Sequence, residues 1–281
     1  MEKLFIEERR DNGVVVLTLN RPEVHNAFND ELIAALIEGL QALNSDPSVR
    51  VVQLRGAGKS FSAGADLNWM QRMAQYSWEE NYQDSLKLAS LMSTLANMSM
   101  PTMAVVQGAA FGGGVGLVAA CDFALASDRA SFCLSEVKLG LIPAVISPYV
   151  VRAIGARAAR RYFVTAERFD ADTALRTGLV QEVVPHDTLT QRADEVCDAI
   201  ANNGPLAVRE AKKLVSLVAE SPIDEEIIRE TANRIADRRA SPEGMEGIRA
   251  FLEKRPPVWP PVDKLSLKLF DDDGEEVLDD Q

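Results

Sequence analysis

A glycine turn followed by a glutamate carries the chemistry this chain can be asked to do. Between Pro101 and Glu136 the sequence reads PTMAVVQGAAFGGGVGLVAACDFALASDRASFCLSE. An apolar run from Met103 to Val106 ends at Gln107-Gly108. A turn with Gly112, Gly113 and Gly114 follows, then a small-residue apolar segment from Val115 to Cys121. That order predicts a buried strand, a tight turn and a buried helix whose N-terminus faces the turn. Glycine lets backbone N–H groups approach a ligand closely, and a helix N-terminus adds partial positive charge. Negative charge is welcome there. It could be a phosphate, although GFGGGVG lacks the GxGxxG spacing and no acidic ribose partner follows about 20 residues on. It could equally be the oxyanion that develops on a reacting carbonyl. The plainer alternative is a turn that only lets a helix pack tightly on a strand.

Other reactive types are scarce. His25 and His186 are the only histidines, which removes most zinc sites and disfavours a Ser-His-Asp triad. His186 follows Val183-Val184-Pro185 and reads as a surface-loop residue. Cys121, Cys133 and Cys197 are odd in number and lie in apolar contexts, as expected of a reduced, cytoplasmic protein. Glu136 stands among small and apolar residues, where a carboxyl should titrate high and suit proton transfer; the bland alternative is a cap or an ion pair.

The elements that must position these groups follow from periodicity. Strands are expected at 4–8 and 14–19 around Asp11-Asn12-Gly13, and at 51–54, 123–126, 131–134 and 179–184. Helices are expected after the Asn29 cap, from about Leu67, and over 79–98, 147–154, 156–165 and 171–177. From Leu189 on the pattern is helical alone: 189–202, 205–219, 224–239 and 242–254. Strands mixed with helices first and helices last predict an α/β body with a helical C-terminal subdomain. We divide the 281 residues into a core at 1–200, helices at 201–258 and an acidic, disordered tail at 259–281. The tail holds eight acidic residues against Lys264 and Lys268, half of the net charge of −12. The acidic balance argues against nucleic acid as a partner. Met1–Arg10 does not resemble a signal peptide, and no apolar run reaches the roughly 18 residues of a membrane span. No internal repeat of fixed period is visible.

Several motifs then align. FSAGADL at 61–67, VQGAAFGGGVGL at 106–117, LSEVKLGLIP at 134–143 and SPEGMEGIRAFLEKR at 241–255 resemble the enoyl-CoA hydratase/isomerase, or crotonase, superfamily; RPEVHNAFN at 21–29 and ALRTGLVQEVVP at 174–185 agree. The resemblance spans residues 4 to 255. It implies a spiral of ββα units with a C-terminal helical oligomerisation subdomain, assembled as a homotrimer or a dimer of trimers, acting on an acyl-CoA thioester. No cofactor or metal is implied, since coenzyme A is part of the substrate. By position, the N–H groups of Ala65 and Gly113 match the family's oxyanion hole. Ala63, Gly64 and Ala65 match the adenine pocket, and Lys59 a position near the CoA phosphates. Phe251 and Lys254 match residues that cover CoA from a neighbouring helix. Trp69, Met70 and Met73 are acyl-pocket candidates, with plain core packing as the alternative.

Typical hydratases carry two glutamates. The second is Glu136; at the place of the first stands Gly116. LSEVKLGLIPAVISPYVV, with SAGADLNWM before it, is most similar to the bacterial methylglutaconyl-CoA hydratases. The expected reaction is therefore hydration of a branched 2-enoyl-CoA, with Glu136 serving as both base and acid and Gly116 leaving room beside the reacting carbon. Hydration of a longer branched glutaconyl-CoA, isomerisation of an enoyl-CoA, and an inactive CoA-binding scaffold are the competing expectations.

Overall fold

The structure is a computed structural model in which residues 3–262 are described. Strand β1 (Phe5–Arg9) turns at Gly13 into antiparallel β2 (Val14–Leu19), and β2 then starts a parallel series. Helix α1 (Asp30–Asn44) follows, its first turn capped by Asn29, whose side chain accepts a hydrogen bond from Leu32 N. Next come β3 (Val51–Gly56), β4 (Ser60–Ser62), α2 (Leu67–Met73) and α3 (Trp78–Ala96). Then β5 (Thr102–Val106), β6 (Ala109–Phe111) and α4 (Gly113–Ala120) repeat the order. It recurs in β7 (Phe123–Ser127), β8 (Ser131–Cys133), a 3-10 turn at Glu136–Leu139 and α5 (Ser147–Thr165). In each round the first strand joins one sheet and the second joins another. β3, β5 and β7 are parallel neighbours in a six-stranded sheet ordered β1-β2-β3-β5-β7-β10, where β10 is Glu182–Val184. β4, β6 and β8 are neighbours in a four-stranded sheet closed by antiparallel β9 (Phe169–Asp170). The fold is thus a spiral of ββα turns.

The reason is burial. β5 is buried at every residue and β2 at all but Thr18, so the large sheet must be covered on both faces. One face meets α1, α3, α4 and α5 in the main core, with Leu32, Leu36, Leu91, Leu95, Leu117 and Val118 among its members. On the other, Leu189, Ala193, Cys197 and Ala201 of α7 (Leu189–Ala201), spaced every four residues, pack on Val14, Val16, Val51, Met103 and Leu125.

Three expectations are corrected. The short strands β4 and β6 are absent from the expected strands, because their pairing is supplied by neighbouring turns of the spiral. Helix α4 begins at Gly113, so two of the three turn glycines are helical. The strand expected over 179–184 pairs only at 182–184. Gly155, at φ 74°, divides α5 into the two helices its sequence suggested.

After α6 (Ala171–Thr177) and α7, helices α8 (Pro205–Ala219), α9 (Glu225–Ala240) and α10 (Pro242–Glu253) complete the described chain. They are fastened to the spiral by polar groups. Buried Arg209 donates to Val49 O (2.9 Å) and to Ser99 Oγ, and Lys212 Nζ lies 2.7 Å from Asp122 Oδ2. Buried Glu243 accepts from Leu206 N (3.0 Å) and Ala207 N (2.7 Å), placing its negative charge at the α8 N-terminus. Ordered contacts also pass the expected start of the tail. Val258 N donates to Glu246 Oε1 (2.8 Å), Trp259 Nε1 donates to Asn202 O (2.9 Å), and its ring lies against Gly247. The remainder of the predicted tail, from residue 263, lies outside the described residues.

Truncation after Pro257 should therefore lower Tm by about 2–4 °C, the scale of one net hydrogen bond of roughly 1 kcal/mol in a chain this long. A thermal melt superimposable on that of the full chain would show that these contacts contribute nothing.

Candidate active site

The first turn of the site is held by RPEVHNAFN. Phe28 N donates to Gly64 O (2.7 Å) and Asp66 N donates to Phe28 O (2.8 Å), a one-residue parallel bridge. Because Gly64 C=O and Asp66 N–H face Phe28, the pleat turns the Ala65 N–H to the opposite side, and Ala65 is exposed. Around this bridge the clamp is dense. Ala63 N donates to His25 O (2.9 Å) and Ser62 Oγ to Asn26 O (2.9 Å). Asn26, fully buried at φ 55°, donates to Ala57 O and Ser60 O (both 2.8 Å) and accepts from Arg21 N (2.9 Å). Arg21 Nη2 reaches Asp66 Oδ2 (2.8 Å) while Asp66 caps α2 through Asn68 N and Trp69 N. Burial alone would raise the Asp66 carboxyl, but Arg21 and the two amides outweigh it and hold it below the usual carboxylate range.

The second turn is Gly112, at φ 50° and ψ −120°, which donates to Cys133 O (2.8 Å) and precedes α4 without any side-chain cap. Gly113 is the first residue of that helix, so its N–H has no partner within it and adds to the positive end of the dipole.

The two turns touch. A methyl group placed on Gly64 would lie 3.0 Å from Phe111 O and 3.9 Å from Gly112 Cα; one placed on Gly112 would lie 3.9 Å from Gly64 Cα. That second position is also only 3.2 Å from Glu136 Oε1. Ala65, Gly113 and Glu136 thus sit on three segments that meet at one backbone contact. Glu136 opens the 3-10 turn after β8; among the described residues it makes no ion pair, and its Oε2 is buried without a hydrogen-bond partner. Burial pushes its carboxyl above the ordinary glutamate value, opposed only by its own backbone N–H. Neither the capping nor the ion-pair alternative describes it.

The remaining candidates separate. Lys59 is exposed on the β3–β4 turn; Ala63 is half-buried and Gly64 buried. Phe251, 81% exposed, and Lys254, at φ 55°, end α10, a helix that packs on α8 and α9. Trp69 is in the main core, 4% exposed, its Nε1 3.4 Å from Asp84 Oδ1; Met73 packs against the same core and Met70 is half-buried. Gly116 corrects an expectation. The room it was to leave is filled: its Cα faces Ile146 and Met92. The three cysteines are free and buried, and burial raises each thiol, Cys121 up to about 12 and Cys197 to about 11. His25 shares a hydrogen bond with Ser60 Oγ (3.1 Å) and meets no carboxylate there. Arg21, Asn26, Asp66 and Ile146 were missed as individual site residues. The first three had a signal, the RPEVHNAFN and GAD motifs; Ile146 had none.

A ββα spiral in which two glycine-bearing turns meet beside one buried carboxyl is the architecture of this chain. The chain belongs to the enoyl-CoA hydratase/isomerase family, whose model matches residues 9–261. A Legionella pneumophila structure assigned to the enoyl-CoA hydratase/isomerase (crotonase) group is 52% identical, with TM-score 0.89 over 92% of this chain and 99% of that one. An enoyl-CoA hydratase from Shewanella pealeana is 46% identical, with TM-score 0.87 over 92% and 96%. The 2,3-dehydroadipyl-CoA hydratase of Escherichia coli is 32% identical over 92% of this chain and 98% of its own.

Glu136→Gln should lower hydratase kcat by at least about 10²-fold with CoA-thioester binding retained. A variant that keeps most of its kcat removes Glu136 from the chemistry. Stability should move the other way. With the folded pKa above the unfolded one, the native state holds the extra proton, so this group's effect on stability worsens as pH rises from the unfolded pKa through the folded one. At pH 7 Glu136→Gln should melt no lower than the parent chain, and kcat/KM of the parent should decline on the acid side from a pH above the ordinary glutamate value.

Proposed function

We propose that the chain reversibly hydrates a branched 2-enoyl-CoA, with 3-methylglutaconyl-CoA as substrate and 3-hydroxy-3-methylglutaryl-CoA as product. The observation that carries the hydratase reading is the buried, unpartnered Glu136 Oε2 beside the contact of the two turns. The thioester oxygen would lie between the Ala65 and Gly113 N–H groups, which strengthen their hold as the oxygen gains charge. Glu136 would accept a proton from water as the hydroxyl bonds C3 and the C2=C3 electron pair moves into the enolate. It would then return that proton to C2. One carboxyl suffices when both additions occur on the same face.

The substrate choice rests on the motifs around Asp66 and Glu136 and on glycine at 116. It is also compatible with the name of the Escherichia coli relative, whose dehydroadipyl substrate likewise bears a distal carboxylate. Apolar side chains left exposed on α10, Met245, Ile248, Phe251 and Leu252, suit a homotrimeric assembly in which a neighbouring helix covers CoA. A single carboxyl also favours one second reading, an enoyl-CoA isomerase.

Assayed side by side, 3-methylglutaconyl-CoA should give kcat/KM at least about 10-fold above crotonyl-CoA, followed by loss of the conjugated thioester absorbance with water incorporated at C3. A preference for the unbranched thioester removes the substrate assignment. Double-bond migration without water uptake makes the protein an isomerase, and binding with no turnover of any enoyl-CoA makes it a scaffold.

A further inference from the structure

Gly112, which caps α4, and Gly116 within it lie four residues apart, the Gly116 N–H donating to Gly112 O (3.2 Å). Beyond Gly112 stands Glu136, and beyond Gly116 stands Ile146. A Cβ on Gly116 would be 2.9 Å from Ile146 Cβ, in still harder collision with its Cγ2, and 3.2 Å from Met92 Cε. The methionine tip can swing away. Ile146 has no such freedom: it is 2% exposed, branched at Cβ, and anchored at the start of α5, where its carbonyl accepts from Tyr149 N (3.2 Å) and Val150 N (3.1 Å).

We propose that Ile146 decides how many carboxyl groups this site can hold. Its side chain occupies the space a residue at 116 would need, so isoleucine at 146 and any side chain at 116 exclude one another. The site is left with Glu136 as its one proton-transfer group and an apolar surface one helical turn away. Position 116 is therefore closed to a second carboxyl while Ile146 stands beside it. The inference rests on the hydratase reading for its functional half and on packing alone for the other.

Gly116→Ala, Ile146→Gly and the double variant test the packing half by thermal melting of the full chain. Glycine is a fair choice at 146 because the residue is the N-cap of α5. Gly116→Ala should lower Tm by about 3–10 °C, the range for an overpacked core in a chain of this size. In the double variant the loss should be clearly smaller than the sum of the two single losses. An unchanged Tm for Gly116→Ala, or strictly additive losses, overturns the proposal. For the functional half, Gly116→Glu alone should remain without hydratase gain, while Gly116→Glu with Ile146→Gly should show a second ionisation in the pH profile of kcat/KM for crotonyl-CoA. A folded double variant with a single ionisation overturns that half. If the parent chain hydrates no enoyl-CoA, the hydratase reading fails, and the melting cycle still decides whether Ile146 and a side chain at 116 are exclusive.

Discussion

The structure depends on the contact between the backbones of Gly64 and Gly112. Both residues have positive φ, at 89° and 50°, and a side chain on either would meet the other's turn. Only backbone this bare lets the turns that carry Ala65 and Gly113 touch, and only the spiral brings those turns together at all. β4 and β6 are parallel neighbours, so the turns at their C-terminal ends emerge side by side. β8 is the next strand over and delivers Glu136 to the same edge. The meeting of these three segments is a consequence of strand order.

Around that edge the protein separates rigidity from reactivity. The Arg21–Asp66 pair, the Asn26 amide and the Phe28 bridge hold the first turn by hydrogen bonds and one ion pair. An ion pair this shielded tolerates loss of one partner poorly, since the other is left buried and unpaired. Glu136 is treated in the opposite way. Its Oε2 is withdrawn from water and has no hydrogen-bond partner among the described residues, an arrangement unfavourable for folding. Local instability at this residue is offset by the apolar packing of two cores and by the clamp.

Ile146 adds a second constraint on the same helix. The segment after Glu136 returns to α4 and seals its side at Gly116, so one glycine faces Glu136 and another, four residues on, serves packing. The two are indistinguishable by type.

The sequence alone determined most of the elements, because strand and helix periodicity are local: α1 with its Asn29 cap, β2, β5, and the four helices from Leu189 are all legible from spacing. The motifs also named Glu136, Ala65 and Gly113 as candidates. What only the tertiary structure decided is everything that depends on a neighbour. β4 and β6 are three residues each and become strands by pairing across turns of the spiral. The repeat is one of connection and not of residues, so no sequence period betrays it. Trp69 belongs to the core because α3 lies over it, with Asp84 at its Nε1, and Trp259 is anchored because Asn202 is there to accept its hydrogen bond. Gly116 reads as open space in the chain and is filled in the fold, since the side chain that fills it comes from thirty residues away.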